Sequence, residues 1–167
     1  MGRILVSGFE PFGGERVNPS VMICEGLDGE EILPARPEGG PEGGRESGRE
    51  SVRASSVILP VTWDEVVEKL VAAARGQAGG DRLLAVVMLG QAGGSPGLAV
   101  ERLAVEACGL PATAWAGEPP AAGFIHIPYL PEQAIGKKPI PPSLSETDIG
   151  RAVRAALRAT AEVILGG

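Results

Sequence analysis

The feature that most constrains the fold of this chain is a pair of short apolar runs that each lead directly into a glycine-rich loop. Residues 3–7 read RILVS and precede GFEPFGG at 8–14, and residues 83–89 read LLAVVML and precede GQAGG at 90–94. A continuous apolar run of this length is typical of a strand buried on both faces of a parallel sheet. Ligands bind such sheets at the carboxyl ends of the strands, so the two glycine loops are candidate walls of one site.

Predicted helices alternate with the predicted strands. Asn18 followed by Pro19 is typical of a helix start, and this helix should end near Gly29. Thr62 and Glu65 have the spacing of a capping box, in which the Thr hydroxyl bonds forward and the Glu reaches back. The other predicted strands are 56–61, 98–105, 111–115 and 124–127, and a second helix is predicted from 62 to about 75. A terminal helix is predicted to start within 145–148. Its buried stripe holds Ile149, Val153, Ala156, Leu157, Val163 and Ile164, with Thr160 on the same face. This order predicts an α/β fold, layered α/β/α, with a mainly parallel central sheet.

Length and composition predict one domain with a disordered insertion. The chain has 167 residues, near the usual size of a single domain, so we predict one domain over 1–167. Residues 34–51 contain no Val, Ile, Leu, Met or aromatic side chain, and PEGG occurs in them twice in succession. Such a segment cannot bury enough apolar surface to offset its ordering entropy. We therefore predict a disordered surface insertion at 34–54.

Charge and residue usage exclude several functional classes. Lys plus Arg is 15 and Asp plus Glu is 21, a net charge of −6, which argues against a nucleic-acid partner or an anionic membrane surface. One His and two Cys are too few for a self-contained zinc site. The longest strongly apolar run is far shorter than a membrane span, and the N-terminus has no apolar signal-peptide core. We expect a cytoplasmic chain with no membrane association.

The glycine loops do not match nucleotide-binding motifs. The first loop is not GxGxxG, and no GK[ST] sequence follows either loop. Pro11 lacks an N–H, and Glu10 would repel a phosphate. Phe9 and Phe12 could instead grip a small flat ring, although their spacing alone favours packing into the core beneath the loop.

The loop at 8–14, followed by Asn18-Pro19, resembles the N-terminal signature of the pyroglutamyl peptidase I family, also called pyrrolidone-carboxylate peptidase. Four further segments resemble this family in the correct order: LPV at 59–61, GQAGG at 90–94, ERLAV at 101–105 and GFIHIPYLPEQ at 123–133. The resemblance implies a single α/β domain, usually in homotetramers. It also implies removal of N-terminal pyroglutamate from peptides by a Cys–His–Glu mechanism, without metal or cofactor.

The resemblance implies roles for six residues. Carried over position by position, the catalytic residues are Glu101, which would orient the imidazole, and His126, which would be the general base. The substrate-binding residues would be Phe9 and Phe12, which would clamp the pyrrolidone ring. Gln91 would hydrogen-bond the lactam through its backbone, and Asn18 is close enough to assist. A neutral lactam ring needs apolar walls and a few aimed hydrogen bonds, which agrees with this set. The expected ligands are N-terminal pyroglutamyl peptides or free pyroglutamate. Without the matched flanks, an exposed strand carboxylate and a core histidine would be the better interpretations of Glu101 and His126.

The sequence departs from the family at the nucleophile. Only 24 residues separate Glu101 from His126, too few for the loop, helix, strand and Cys-bearing helix that the family has there. The segment carrying the catalytic Cys is therefore expected to be deleted, which makes the fold abbreviated relative to the family. Cys108 precedes the strand that leads to the family nucleophile, so we expect it, like Cys24, to be inert. Ser95 stands where the family usually has Arg, which removes a cation from the neighbourhood of the site. Glu106 stands where the family usually has Asn, which adds a carboxylate near Glu101.

Three functional hypotheses remain open from the sequence. The chain is a working pyroglutamyl peptidase with another nucleophile, a catalytically inactive homologue that binds pyroglutamyl groups or pairs with an intact paralogue, or a decayed gene product. Loss of a core helix should expose apolar surface on one sheet face, which predicts oligomerisation or poor solubility; of these we expect a homo-oligomer.

Overall fold

The computed structural model describes residues 1–35, 48–76, 80–101 and 120–166. The strands are β1 (Gly2–Phe9), β2 (Glu31–Leu33), β3 (Val52–Leu59), β4 (Arg82–Gln91), β5 (Ala99–Glu101) and β6 (Ala121–Ile127). The helices are α1 (Pro19–Leu27), α2 (Trp63–Arg75), the short α3 (Pro131–Ala134) and α4 (Glu146–Gly166). None of the helices in these ranges combines the length and the apolar character needed to cross a bilayer.

One six-stranded sheet organises the described residues, in the order β2-β3-β1-β4-β6-β5. The four inner strands β3, β1, β4 and β6 are parallel, and the two outer strands β2 and β5 each pair antiparallel with their neighbour. The predicted α/β fold with a mainly parallel central sheet is therefore confirmed. Because β1 and β4 lie at the centre, their side chains are buried on both faces, which explains their continuous apolar runs.

Helices cover both faces of the sheet. On one face, called here the α1 face, Ile23 of α1 and Val153 of α4 join a core with Val6, Leu89 and Ile125 of the central strands. On the opposite face, the α2 face, a smaller core forms beneath α2. Its buried members are Leu5, Leu59, Leu70, Ala74, Val86 and Met88. Residues that alternate along a strand belong to opposite faces, so the face of each candidate site residue can be assigned from its neighbours.

Side chains cap the N-termini of α1 and α4 but not that of α2. Asn18 caps α1 as predicted, since its Oδ1 accepts a hydrogen bond from the Ser20 N–H at 3.1 Å. Ser145 likewise accepts from the Asp148 N–H at 3.1 Å at the start of α4. The capping box predicted for α2 is wrong, because the Thr62 hydroxyl donates to the Glu65 carboxylate at 2.9 Å and caps no backbone N–H. At this exposed position the Glu65 carboxylate accepts a charge-assisted hydrogen bond from the Thr62 hydroxyl, in place of the Thr62 N–H that it would accept in a capping box.

Several predicted boundaries also differ from the structure. Strand β3 begins at Val52 rather than at 56, so residues 52–54 of the predicted insertion are part of the sheet. The edge strand β2 was not predicted, because three residues give no periodic signal. In α4 the buried stripe continues to Ala161, and Val163 is 74% exposed, because a four-residue step from 157 keeps the same face whereas a six-residue step does not. Residues 36–47 of the predicted insertion, residues 102–105 of a predicted strand and the predicted strand at 111–115 lie outside the described residues.

Candidate active site

The carboxyl ends of β1, β4 and β6 lie side by side at one edge of the sheet. Ser7 of β1 lies opposite Met88 of β4, and Gly90 of β4 lies opposite His126 of β6. Neighbouring strands are about 4.8 Å apart, so the end of β1 and the end of β6 are separated by about 10 Å. Both glycine loops start at this edge, as the sequence predicts for one shared site.

The structure brings Glu101 and His126 together. They lie on the antiparallel strands β5 and β6, and the Nε2 atom of His126 is 3.4 Å from Oε1 of Glu101. Both side chains are accessible, with 35% of His126 and 55% of Glu101 exposed. A carboxylate at this distance orients the imidazole through Nε2, which leaves Nδ1 as the second ring nitrogen.

Phe124 supports the His126 ring from its own strand. The two ring centroids are 4.8 Å apart with an interplanar angle of 50°. Phe124 also lies over Gly90 of the neighbouring strand, where an added Cβ would be 2.3 Å from the Phe ring. The missing side chain of Gly90 therefore leaves the space that the Phe124 ring occupies. The sequence analysis missed this role of Phe124, although its place two residues before His126 put both on the same face of the strand.

The two phenylalanines of the first loop have different environments. Phe9, at the end of β1, is half-buried and packs against the core of the α2 face. Phe12 is 38% exposed near the tip of the loop. Gly13 and Gly14, with φ of 65° and 81°, form the turn that follows it. The predicted core packing describes Phe9, whereas Phe12 is open to a ligand.

Asn18 is 1% exposed, and its side chain has several partners within the protein. Oδ1 accepts from the Ser20 hydroxyl at 2.8 Å as well as from the Ser20 N–H, and Nδ2 donates to the Glu10 carbonyl at 3.3 Å. Asn18 therefore ties the first glycine loop to the start of α1. Its predicted contact with a substrate stays a prediction.

Gln91 ends β4 on the α1 face, two residues after the buried Leu89. Its side-chain Oε1 accepts a hydrogen bond at 3.0 Å from Nε2 of Gln133 in α3. Two residues further along, Gly93 lies so close to the Tyr129 ring that a Cβ there would be 2.3 Å from it. The sequence analysis did not assign a role to Gln133, although it lies within the matched segment 123–133. The side chain of Gln91 is thus held within the protein, and its predicted lactam contact through the backbone stays a prediction.

The cysteine of α1 is not available to this site. Cys24 is completely buried in the core of the α1 face, whereas His126 lies on the α2 face with Phe124. Burial raises the pKa of the Cys24 thiol to about 12, and the Asp28 and Glu25 carboxylates act in the same direction. Cys108 lies outside the described residues.

Two further observations concern charge and metals. The hydroxyl of Ser95 donates to the Gly97 carbonyl at 2.7 Å within the second loop, and Glu106 lies outside the described residues. Within the described ranges, no cluster of three or more His, Cys, Asp or Glu side chains is arranged to hold a metal ion.

The site places a Glu–His pair beside two glycine loops at the carboxyl edge of an α/β sheet, the edge at which such sheets bind ligands. The family model described as "Pyroglutamyl peptidase" matches residues 2–38 and 108–163. The chain belongs to the pyroglutamyl peptidase family.

Individual relatives agree with this assignment. The pyrrolidone-carboxylate peptidase of Pyrococcus furiosus is 26% identical, with 98% of this chain and all of the relative covered. The corresponding peptidase of Chromobacterium violaceum is 29% identical, with 94% of this chain and 91% of the relative covered. The alignment with the Pyrococcus protein extends over 231 positions although this chain has 167 residues, so at least 64 positions have no counterpart here.

Solved structures show the same fold. A crystal structure of the Pyrococcus furiosus pyrrolidone carboxyl peptidase matches with a TM-score of 0.69 and 24% identity, covering 98% of this chain and all of that chain. Pyroglutamyl peptidase I of Bacillus amyloliquefaciens matches with a TM-score of 0.67 and 22% identity, covering 96% and 97% of the two chains.

Proposed function

We propose that this chain is a pyroglutamyl peptidase I homologue that binds N-terminal pyroglutamyl groups and has impaired or absent hydrolytic activity, because the segment carrying the nucleophile is missing. The observation that carries this proposal is the Glu101–His126 pair, with its 3.4 Å contact, next to the two glycine loops. The reaction that the family resemblance implies is the cleavage of the amide bond after an N-terminal pyroglutamyl residue.

The Glu101–His126 pair suits the proton transfers of that reaction. A thiol must lose its proton to attack the pyroglutamyl carbonyl carbon, and the imidazole of His126 is the base that would accept it. The same imidazole would then protonate the leaving amine, and water would hydrolyse the resulting thioester. Glu101 contacts Nε2, so Nδ1 is the nitrogen left to face a nucleophile.

The described residues contain one cysteine, Cys24, and it is not placed to act as the nucleophile. Cys24 lies on the opposite face of the sheet and has a raised pKa. The 24 residues between Glu101 and His126 are too few for the elements that the family has there, which supports a deletion in this part of the chain. Cys108 lies outside the described residues, and the resemblance to the family puts it before the nucleophile position rather than at it, so we propose that it does not act as the nucleophile.

The pyroglutamyl ring would be held by the loops. Phe12 is exposed enough to cover one face of a flat lactam, and Phe9 supplies an apolar wall beside it. Gln91 would bond the lactam through its backbone, and Asn18 would keep the first loop in place. No metal or cofactor takes part in this proposal.

A non-catalytic role is the alternative, as a pyroglutamyl-binding homologue or a partner subunit of an intact enzyme. The connected hydrogen bonds around Asn18 favour it over a decayed gene product, because they keep the first loop ordered without a nucleophile.

Hydrolysis of a fluorogenic pyroglutamyl amide by folded, purified protein tests the proposal. Wild type is compared with Cys108→Ala, Cys24→Ala and His126→Gln. Weak or absent turnover, together with a rise in Tm when free pyroglutamate is added, supports it. Turnover at the level of an intact pyroglutamyl peptidase that is lost in Cys108→Ala would show that the alignment over 107–122 is wrong. No turnover and no effect of pyroglutamate on Tm would favour the decayed product.

We also propose that the chain forms a homo-oligomer in the cytoplasm. Within the described ranges, four large apolar side chains are more than two-thirds exposed, namely Val100, Ile135, Ile140 and Val163. Exposed apolar surface favours association, which light scattering across a concentration series would measure.

A further inference from the structure

Gln133 of α3 is a buried polar side chain whose amide is used completely. It is 7% exposed. Its Oε1 accepts a hydrogen bond from the Leu130 N–H at 3.0 Å, which fixes the side chain against its own helix start. An amide nitrogen carries two hydrogens, and a buried amide that lost its acceptors would be penalised, so its partners identify what the residue is for.

The amide nitrogen of Gln133 connects segments that are far apart in the sequence. It lies 3.0 Å from Oε1 of Gln91, 3.1 Å from the Val17 carbonyl and 3.4 Å from Oε2 of Glu15. Gln91 starts the second glycine loop, and Glu15 and Val17 follow directly on the first. One side chain therefore joins both glycine loops to the segment that follows His126.

An ion pair reinforces the same junction from its outer side. Lys137, which follows α3, contacts the Glu15 carboxylate at 2.6 Å and lies 4.8 Å from the centre of the Tyr129 ring. Tyr129 packs in turn against Gly93 of the second loop. The three polar side chains Glu15, Gln133 and Lys137 thus connect the first loop to the second by two routes.

The junction lies behind the loops rather than at the reacting atoms. Gln91 points to the α1 face, whereas His126 and Phe9 lie on the α2 face. A side chain in this place does not touch a ligand held beside His126. The contacts of Gln133 are with the first loop's continuation and with Gln91 of the second loop, so it can set the spacing of the two loops.

We propose that Gln133 is a positioning residue that holds the two glycine loops, residues 8–14 and 90–94, at a fixed spacing and thereby preforms the pyroglutamyl pocket. The inference about the pocket rests on the proposed function, whereas the coupling of the loops is a property of the unliganded protein. The two parts are measured separately.

Hydrogen exchange measures the coupling in the full chain without ligand. Gln133→Met keeps the length of the side chain and removes every hydrogen bond of its amide. We expect amide exchange to become about 10-fold faster in both loops together, while β1 and β4 exchange as in wild type. Glu132→Gln is the matched control, because Glu132 is exposed and adjacent on the same helix. Unchanged exchange in either loop of Gln133→Met would overturn the coupling.

Titration with free pyroglutamate measures the effect on the pocket. Gln133→Met should weaken the Kd about 10-fold relative to wild type and to Glu132→Gln. An unchanged Kd in Gln133→Met would refute the positioning role. If wild type does not bind pyroglutamate while the loops of Gln133→Met exchange faster, the proposed function fails and the coupling stands.

Gln133→Glu gives a readout that a merely structural role would not move. The introduced carboxylate would face the Glu15 carboxylate and the Val17 carbonyl with no hydrogen to donate, so loop exchange should be fast near pH 7.5. Protonation restores one donor, and the neighbouring carboxylate raises the pKa at which this happens. Lowering the pH to about 5 should therefore slow loop exchange in Gln133→Glu relative to Gln133→Met, after correction for the intrinsic exchange rate. Identical pH dependence in the two variants would contradict the role of the amide as donor.

Discussion

Replacement of Arg3 tests the energetics of a buried cation at the centre of the sheet. Arg3 is 4% exposed in β1, and burial lowers the pKa of its guanidinium, opposed by the nearby Asp81 carboxylate. Its guanidinium donates to the Ala74 carbonyl at 2.7 Å and to the Ser55 hydroxyl at 3.0 Å, with a longer contact of 3.5 Å to the Ala73 carbonyl. These carbonyls end α2, so the cation also complements the negative end of the helix dipole.

The cost of Arg3→Met follows from the groups left behind. Ser55 and Ala74 are 6% and 7% exposed, so neither can replace its lost partner with bulk water. A buried polar group without a partner costs about 1–3 kcal/mol, which gives roughly 2–6 kcal/mol for the two. Relief of the guanidinium desolvation offsets part of this, the more so because its Nε has no hydrogen-bond partner. We expect a net loss of about 3 kcal/mol in the free energy of unfolding.

Urea denaturation followed by far-UV circular dichroism measures this loss. The matched control is Arg53→Met, because Arg53 lies opposite Arg3 on β3 and is exposed. The control should stay within about 0.5 kcal/mol of wild type, as expected for a surface substitution. An Arg3→Met protein as stable as the control, with an unchanged m-value, would refute the reasoning.

Three further predictions concern the loops and the core. Gly90→Ala places a Cβ 2.3 Å from the Phe124 ring, so we expect a loss of about 1–3 kcal/mol in urea denaturation, and a stability equal to wild type would contradict this. The Lys137 ammonium lowers the pKa of the Glu15 carboxyl in the folded protein by hydrogen bonding. The pair therefore stabilises the fold at pH values above the pKa that Glu15 has in the unfolded chain, and this stabilisation is lost as the pH falls through the lower pKa of the folded state. Between pH 6 and 3, Tm should therefore fall more steeply in wild type than in Lys137→Met, and parallel curves would refute the linkage. The Cys24 thiol should resist a disulfide reagent at pH 8 until the protein is unfolded, since burial raises its pKa to about 12, and rapid labelling in the native state would disprove it.

Local patterns predicted the elements of the sheet well because strands buried on both faces leave a continuous apolar run. Strand β4 extends only one residue before and two after the predicted 83–89, and the helix predicted after Asn18 is found at Pro19–Leu27. The same reasoning failed at Thr62, where two correct residue types at the right spacing bond to each other. A spacing rule states which bonds can form, and the competition between donors for the same carboxylate decides which one does.

The sequence by itself determined the α/β class, the mainly parallel sheet and the two residues, Glu101 and His126, that lie in contact at its carboxyl edge. Each of these depends on contacts or periodicities that are local in the chain, or on motifs matched residue by residue. Only the tertiary structure decided that Cys24 and His126 lie on opposite faces, that Phe124 occupies the space above Gly90, and that Gln133 joins both glycine loops. Gln133 and Gln91 are 42 positions apart. Such contacts have no local pattern, because they arise where strands distant in the chain are brought side by side in the sheet.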